Sequence, residues 1–400
     1  MNLEKIRKLQ VHTPQGYSGD LIKEARYSFN YLAKDREKEL SLALPLRAES
    51  YSSGGLFSIF EMNRPEGYLL ESIRNRFGKI ARLDDMALLK ITGHNQIGRL
   101  SYVDPDDQAN PKKASIKLID LIQSKASEEL FNYLADVYFD SGISGFQPKV
   151  MIKDDDLNKK TLIEKATAIT SNLIVKSAGE DYPHLAENEF LCMSVAKEAG
   201  LDVPEFWLSE DNGLIILKRF DITETNERLG LEDMCSISNT STENKYHGSY
   251  ENIALVIDLF CKSNAIESNA RYFEYVALSV LLKNGDAHLK NFSLIYDYPS
   301  GHVRLSPLYD VVTTAVYKST NPITGMNIID RNMALSMFKS KNYPDHKRLV
   351  EFGKSACHVS KPELVIERIE EAKLKVLDLY KDRINKNFMK EMALAWDVFP

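Results

Sequence analysis

The 400-residue sequence predicts an α+β fold with two lobes, one built mainly on strands and the other mainly on helices. Strand-like apolar runs concentrate between residues 150 and 220, whereas helical periodicity dominates from residue 253 to residue 380. A dense polar loop, residues 283–291, separates a buried helical run, Tyr272 to Leu282, from a strand-like run, Phe292 to Tyr296. The chain is too long for one compact core, so several subdomains are expected.

Composition narrows the class of protein. Hydrophobic residues make up 44% and aromatic residues 10%, which is ordinary for a folded globular chain. The net charge of -6 disfavours sequence-independent DNA binding, which requires a basic surface. No apolar run reaches about 18 residues and the N-terminus lacks a signal-peptide core, so a cytoplasmic protein without membrane spans is expected. The four cysteines form no C-x-x-C pair, which excludes a zinc site or a disulfide framework and favours a reducing compartment: Cys192, Cys235, Cys261 and Cys357.

The N-terminal region, residues 1–103, predicts a small mixed α/β module. Residues 25–31 alternate like a strand, and residues 68–77 and 84–91 have helical periodicity. Residues 104–127 are predicted to be a linker, because their first part is polar, contains proline and lacks apolar periodicity. The two lobes then follow as residues 128–221, rich in strands, and residues 222–400, rich in helices.

The strand lobe opens with a glycine-rich turn, residues 141–149 (SGISGFQPK), which leads into a strand over residues 150–153. Such a turn can present backbone N–H groups and a lysine to phosphate. The G-x-x-x-x-G-K spacing is absent, and a plain hairpin turn explains the pattern equally well.

Lys176 ends an apolar strand over residues 173–176, and Glu189 lies in the first turn of a helix over residues 186–200. A lysine in this position either extends its ammonium group to water or pairs with nucleotide phosphates, in which case a helix glutamate orients it. Alternatively, the glutamate simply favours the positive N-terminus of the helix.

A hairpin over residues 203–208 and 214–220 turns at Asp211-Asn212-Gly213. From the chain order of two-lobed kinases, Phe220 is expected near the adenine and Asp221 near the ribose of a nucleotide.

The polar loop carries Asp286 and, five residues later, Asn291, with Asp310 following the next strand-like run. In phosphoryl transfer an aspartate at this spacing orients the attacking hydroxyl, and the asparagine and a later aspartate bind magnesium. An isolated D-x-x-x-x-N is more often a solvated turn. The order of all these parts nevertheless predicts an ATP phosphotransferase with a kinase-like fold, although the G-x-G-x-x-G, H-R-D and D-F-G signatures of typical protein kinases are absent.

These segments together resemble the HipA-like serine/threonine kinases, the toxins of bacterial type II toxin–antitoxin modules. The resemblance covers nearly the whole chain. It is carried by LSLALPL and EMNRPEGYLLESI in the N-terminal module, ISGFQPK, LIVKSAG, PHLAENEFLCMSVAKEAGLDVP, LKRFD and EDMCSIS in the middle, and NGDAHLKN and LSPLYDVV in the helical lobe. It implies a HipA-type bilobal fold with the N-terminal subdomain in the same chain, whereas Met1 to Gln15 is expected to be an extra segment without an assigned role.

The resemblance also implies roles for single residues. Asp286 would be the catalytic base, supported by His288 and Lys290, and Asn291 and Asp310 would bind Mg²⁺. The remaining residues would bind ATP: Ser144, Gly145, Phe146, Lys149, Lys176, Glu189, Phe220 and Asp221.

Family members switch themselves off by phosphorylating a serine in the phosphate loop. In the best-known members that serine lies three residues before the loop glycine, where this chain has Gly142. Ser144, directly before Gly145, is therefore the expected autophosphorylation site, and Ser141 is out of register.

The resemblance further implies partners: a HipB-like helix-turn-helix antitoxin, DNA only through that antitoxin, and an aminoacyl-tRNA synthetase as substrate. Two alternatives stay open. One is a small-molecule kinase of the aminoglycoside or choline type, which shares the D-x-H-x-x-N loop. The other is a catalytically silent adaptor that only binds a repressor, which the intact Lys176, Asp286, Asn291 and Asp310 disfavour.

Overall fold

The structure is a computed structural model that describes residues 6–65, 70, 73–74, 83–93, 96–105, 118–125, 130, 149–152, 172–177, 182–299, 301–320, 327–328 and 331–398. Two compact units divide the chain, and each combines three stretches of sequence. The first unit comprises Met1–Gly179, Phe206–Thr242 and Ile295–Val303, and the second comprises Glu180–Glu205, Glu243–Leu294 and Arg304–Pro400.

Strands and helices both occur along the described residues. The strands are Lys8–Thr13 (β1), Gly16–Lys23 (β2), Tyr27–Tyr31 (β3), Tyr51–Ser53 (β4), Ser101–Val103 (β5), Lys149–Ile152 (β6), Leu173–Ser177 (β7), Phe206–Leu208 (β8), Leu214–Lys218 (β9), Gly230–Asp233 (β10), Ser293–Tyr296 (β11), Arg304–Leu305 (β12), Ser319–Thr320 (β13), Asn327–Ile328 (β14), Asn332–Met337 (β15) and Ser340–Asn342 (β16). The α-helices are Ser58–Met62 (α1), Asp85–Thr92 (α2), Leu118–Ile122 (α3), Leu185–Glu198 (α4), Met234–Ile237 (α5), Tyr250–Cys261 (α6), Ala265–Leu281 (α7), His346–Ser355 (α8), Pro362–Leu379 (α9) and Lys386–Ala395 (α10).

The first unit contains a five-stranded antiparallel sheet in the order β4-β3-β2-β1-β5. Strand β1 therefore lies between β2 and β5, and its Leu9 and Val11 are fully buried in the hydrophobic core of this module. The expectation that Met1 to Gln15 is extra was wrong for β1, because its alternating buried side chains make it an interior strand.

A buried carboxylate ties distant parts of the first unit together. Glu232 is fully buried and accepts hydrogen bonds from the Ser41 hydroxyl and the Leu42 N–H, both at 2.7 Å. The hydroxyls of Ser236, at 3.1 Å, and Tyr296 also donate to it. Each donor offsets part of the cost of removing the carboxylate from water.

The first unit also holds a four-stranded antiparallel sheet in the order β6-β7-β9-β8. The predicted strands in this lobe and the hairpin that turns at residues 211–213 are confirmed. Lys149 of β6 pairs in register with Lys176 of β7, so their backbones are neighbours in the sheet.

The second unit is mainly helical, as predicted, but its helix bounds differ. Helix α6 begins at Tyr250 rather than at residue 253, because the Ser249 side chain accepts the Asn252 N–H and caps the helix. Helix α7 begins seven residues before the predicted Tyr272, through the polar stretch 265–271. Its core packs aromatic rings, with the Tyr272 centroid 5.2 Å from that of Phe292 and 6.3 Å from that of Phe352.

Candidate functional site

The loop after α7 leaves the helix sharply. Lys283 has a φ of 55°, and the Thr314 hydroxyl accepts the Gly285 N–H at 2.8 Å and donates to the Lys283 carbonyl at 3.1 Å. A Cβ on Gly285 would lie 2.7 Å from both the Asn332 carbonyl oxygen and Thr314 Oγ1. Because no side chain fits there, this turn requires glycine.

Asp286 follows this turn with 36% of its side chain exposed. Its Oδ1 accepts a hydrogen bond from the Tyr246 hydroxyl at 2.6 Å, and its own N–H donates to Asn284 Oδ1 at 3.1 Å. The Tyr246 hydroxyl thus orients the carboxylate and Asn284 holds the backbone, while the carboxylate remains accessible to a reactant, which is what a general base needs.

His288 is buried beside this carboxylate, with its Nε2 3.8 Å from Asp286 Oδ1. Burial lowers the pKa of His288 to about 3, and repulsion from Lys245 adds to the effect. The imidazole is therefore neutral at physiological pH. Within the described residues its Nδ1 has no hydrogen-bond partner. Its ring packs edge-on against Tyr246, with the centroids 5.0 Å apart, which indicates a packing role.

Asn291 connects the loop to the segment that carries Asp310. Its side-chain Nδ2 donates to the Asp310 carbonyl at 3.2 Å, and its backbone N–H donates to the His288 carbonyl at 2.9 Å. Asp310 itself adopts a φ of 59°, a conformation that non-glycine residues rarely take. One residue earlier, the Tyr309 hydroxyl donates to the Lys290 carbonyl at 2.9 Å. These hydrogen bonds hold the loop of residues 283–291 beside the segment that contains Tyr309 and Asp310.

The donor set fits magnesium. The Asn291 amide donates through Nδ2, so its Oδ1 is the atom suited to a cation, and Asp310 adds a carboxylate. Magnesium prefers such hard oxygen ligands and usually completes its shell with water and phosphate oxygens. The part of the chain that the structure describes contains no group of three or more His, Cys, Asp or Glu side chains arranged to hold a metal.

The segment after Asp310 is held at Thr313, which is fully buried. The Asn188 amide of α4 accepts the Thr313 N–H at 2.8 Å and donates to its carbonyl at 3.0 Å. The Trp396 indole N–H donates to Thr313 Oγ1 at 2.7 Å. Side chains from α4 and from the turn after α10 therefore fix the backbone three residues beyond the candidate metal ligand.

Glu189 and Lys176 are both buried. Glu189 lies on α4 in the second unit and Lys176 on β7 in the first, where the lysine is 4% exposed. Burial of two opposite charges requires a partner for each. Their expected pairing stays a prediction.

Phe220 is half-buried after β9, and Asp221 is 2% exposed. Arg219 donates through Nε to Asp221 Oδ1 at 2.8 Å and through Nη2 to Oδ2 at 2.5 Å, and the Gly98 N–H donates to Oδ2 at 2.6 Å. Burial works to raise the pKa of Asp221, but Arg219 and the other donors outweigh it and hold the pKa below its usual value. With both oxygens engaged inside the first unit, a ribose hydroxyl would have to share them, which favours a structural role.

Ser144, Gly145 and Phe146 of the predicted phosphate loop lie outside the described residues, and Lys149 is described through its backbone in β6.

Sequence patterns missed three residues that support the site: Tyr246, Asn188 and Thr313. Tyr246 precedes Asp286 by 40 residues, and Asn188 precedes Thr313 by 125, so no local spacing links them. The tyrosine lies in a polar stretch, residues 240–249, that has no apolar periodicity.

Two family models match the chain. The HipA N-terminal domain covers residues 9–103, and the HipA-like C-terminal domain covers residues 141–378. A protein of Haemophilus influenzae, provisionally named as a kinase, is 31% identical over 290 residues, which span 63% of this chain and 81% of that protein. The serine/threonine-protein kinase toxin HipA of Shewanella oneidensis is 24% identical over 364 residues, 82% of this chain and 80% of the toxin.

A solved structure has the same fold: the complex of Shewanella oneidensis HipA with HipB and its operator DNA. It matches with a TM-score of 0.72 at 20% identity, covering 98% of this chain and 95% of that chain. The predicted α+β, HipA-type fold is thereby confirmed. In the described part of the chain, no helix combines the length and apolar character needed to span a membrane.

Proposed function

Because the chain belongs to the HipA family, we propose that it is an ATP- and Mg²⁺-dependent protein serine/threonine kinase and the toxin of a toxin–antitoxin pair. The observation that carries the proposal is the hydrogen bond that the Asn291 side chain donates to the Asp310 carbonyl. It joins the loop of the candidate base to the candidate metal segment, as phosphoryl transfer requires.

The acceptor hydroxyl would donate a hydrogen bond to Asp286, which would take up its proton during transfer. Asn291 and Asp310 would hold magnesium through their side-chain oxygens. When bound, ATP supplies the phosphoryl group, and Mg²⁺ offsets the negative charge of its phosphates. His288 would support the loop by packing, because a buried neutral imidazole cannot itself act as a cation.

For ATP binding we propose Lys176, Glu189 and Phe220, together with the loop of Ser144, Gly145, Phe146 and Lys149. We propose Ser144 as the autophosphorylation site, where a charge of about -1.5 to -2 beside the nucleotide phosphates would oppose ATP binding. Intact-mass and tandem spectra after incubation with Mg-ATP test this: phosphate on Ser144 supports it, whereas phosphate only on Ser141, or on neither serine, contradicts it.

The Shewanella oneidensis structure supports a partner, because that HipA is seen with HipB and operator DNA. We propose that this chain likewise binds a HipB-like antitoxin in the cytoplasm and reaches DNA only through it. The proposed substrate is an aminoacyl-tRNA synthetase, whose phosphorylation would inhibit translation and arrest growth.

A kinase assay on bacterial lysate with labelled ATP and Mg²⁺ tests the proposal. The wild-type protein is compared with Asp286→Asn and with Asp297→Asn, a control at an exposed carboxylate. We expect a discrete labelled protein with wild type and Asp297→Asn and none with Asp286→Asn, and mass spectrometry then identifies the substrate. Absence of protein labelling by wild type and by Ser144→Ala would contradict a protein kinase, and label on a small molecule alone would indicate a small-molecule kinase.

A further inference from the structure

Tyr246 places its hydroxyl at one carboxylate oxygen of Asp286, Oδ1. The phenol Oη is 2.6 Å from Asp286 Oδ1, and the tyrosine is 39% exposed. In the proposed reaction a protein hydroxyl donates to this same carboxylate at a distance of about 2.6–3.2 Å. The tyrosine therefore makes the contact that a phosphoryl acceptor has to make.

The backbone around Tyr246 is held on both sides. The Leu289 N–H donates to the Lys245 carbonyl at 3.1 Å, and Lys341 Nζ donates to the Tyr246 carbonyl at 3.1 Å. Further along, the Ser336 N–H and hydroxyl donate to the Gly248 carbonyl at 3.2 and 3.0 Å. Because these bonds fix the main chain, the phenol can leave Asp286 by side-chain rotation alone, on the fast timescale of an exposed side chain.

We propose, on the basis of the kinase function above, that Tyr246 is a specificity-determining residue of the acceptor subsite. The acceptor hydroxyl displaces the Tyr246 hydroxyl from Asp286, and the ring, backed edge-on by His288, then forms one wall of the subsite against the acceptor residue. The ligand class is a serine or threonine side chain in an extended, accessible protein segment, since the side chains of Tyr246 and Asp286 are both partly exposed.

This arrangement makes two opposing contributions to acceptor binding. The phenol O–H competes for Asp286, so its removal should improve acceptor binding by about two- to tenfold, the range of one net hydrogen bond. The ring supplies apolar contact area, so its removal should weaken binding. A residue that only orients Asp286 would act differently: losing its hydroxyl would lower kcat and leave the acceptor KM unchanged.

The test is steady-state phosphorylation of a peptide mixture with one fixed Ser or Thr among randomised neighbours, with Mg-ATP. Tyr246→Phe, Tyr246→Ala and the control Tyr380→Phe are compared with wild type. The control removes the hydroxyl of a half-buried tyrosine that packs on Phe190. We expect Tyr246→Phe to lower the acceptor KM two- to tenfold with the ATP KM unchanged, Tyr246→Ala to raise it above wild type, and the control to match wild type.

An unchanged acceptor KM with a reduced kcat in Tyr246→Phe would overturn the proposal in favour of a purely orienting role. Equal acceptor KM values for Tyr246→Phe and Tyr246→Ala would also overturn it, because the ring would then have no part in the subsite. A wild type that labels no peptide while it labels a lysate protein would contradict recognition of an extended segment. A wild type that labels neither contradicts the kinase function itself.

Discussion

The indole N–H of Trp396 donates to the side-chain oxygen of Thr313 across 83 residues of sequence, with Nε1 and Oγ1 2.7 Å apart. Trp396 is fully buried, and its carbonyl accepts a hydrogen bond from the buried Lys373 at 2.8 Å. The adjoining Asp397 forms an ion pair with Lys283 at 2.9 Å. The turn after α10 thus contacts both the segment beyond Asp310 and the residue that opens the loop of Asp286.

Replacing Trp396 with Phe should weaken both stability and activity. The change keeps an aromatic ring but leaves a buried oxygen without its indole donor, which costs about 1–3 kcal/mol. We expect a lower urea midpoint and a severalfold lower kcat, with the matched control Trp207→Phe, on the half-buried β8, showing unchanged activity. A Trp396→Phe protein with wild-type stability and rate would show that the bond to Thr313 does not position the site.

Gly285→Ala should lower the kinase activity, because it displaces the loop that presents Asp286. The added Cβ would lie 2.7 Å from the Asn332 carbonyl oxygen and from Thr314 Oγ1, so the turn that presents Asp286 has to shift. Overpacking of this kind costs about 1–3 kcal/mol, and a displaced base should lower kcat at least tenfold. Gly55→Ala is the control, because a Cβ there meets nothing within 4 Å. Equal kcat values for the two variants would contradict the steric requirement at Gly285.

Acid should destabilise the chain through His288. Its pKa of about 3 in the folded state lies below the ordinary value of 6.5. Between these two pH values the imidazole is protonated in the unfolded chain and neutral in the folded chain. The free energy of unfolding should therefore fall as pH drops below 6.5, by about 2 kcal/mol at pH 5 from this residue, and continue to fall towards pH 3.

Urea unfolding at pH 7 and pH 5 measures this effect. His288→Asn should lose less stability between the two pH values than wild type, whatever its stability at pH 7. His302→Asn, at an exposed histidine, should retain the wild-type difference. A His288→Asn protein with the full wild-type pH dependence would indicate that other groups cause the acid sensitivity.

Asp221→Asn should reduce stability rather than nucleotide affinity. It leaves the 3% exposed Arg219 guanidinium without its counter-charge, and breaking a buried pair costs about 3–5 kcal/mol. Asp378→Asn is a control that breaks the exposed Lys381–Asp378 pair and should leave the stability nearly unchanged. Melting curves measure the loss of stability, and ATP titrations measure the nucleotide affinity. A raised ATP KM without a loss of stability would restore the ribose contact that chain order predicts.

Local patterns were sufficient for the elements around the site. Lys176 was expected at the end of a buried strand and lies in β7, and Asp211-Asn212-Gly213 was expected to close a hairpin and does so between β8 and β9. These features depend on apolar periodicity and turn chemistry within a few residues, which the sequence displays directly.

Long-range polar contacts were beyond such patterns. The engagement of Asp221 depends on Gly98, 123 residues earlier, and Asp286 is oriented by Tyr246 from a loop without periodicity. Which donor meets each of these carboxylates is decided by how the chain folds back, and neither composition nor spacing encodes that choice. The interior position of β1 was missed for a related reason, because β1 lies inside the sheet only through its pairing with the distant β5 in addition to the adjacent β2.

The buried Glu232 has a consequence for how the protein is made. Its donors Ser41 and Leu42 precede it by 191 and 190 residues, and Tyr296 follows it by 64. A ribosome adding roughly 5–20 residues per second takes roughly 10–40 s to pass from Leu42 to Glu232. During that interval the emerging N-terminal module lacks the acceptor for its Ser41–Leu42 segment. Because Tyr296 follows residues 283–291 in the chain, the hydrogen bonds of Glu232 can be completed only after the loop that carries Asp286 has also been synthesised.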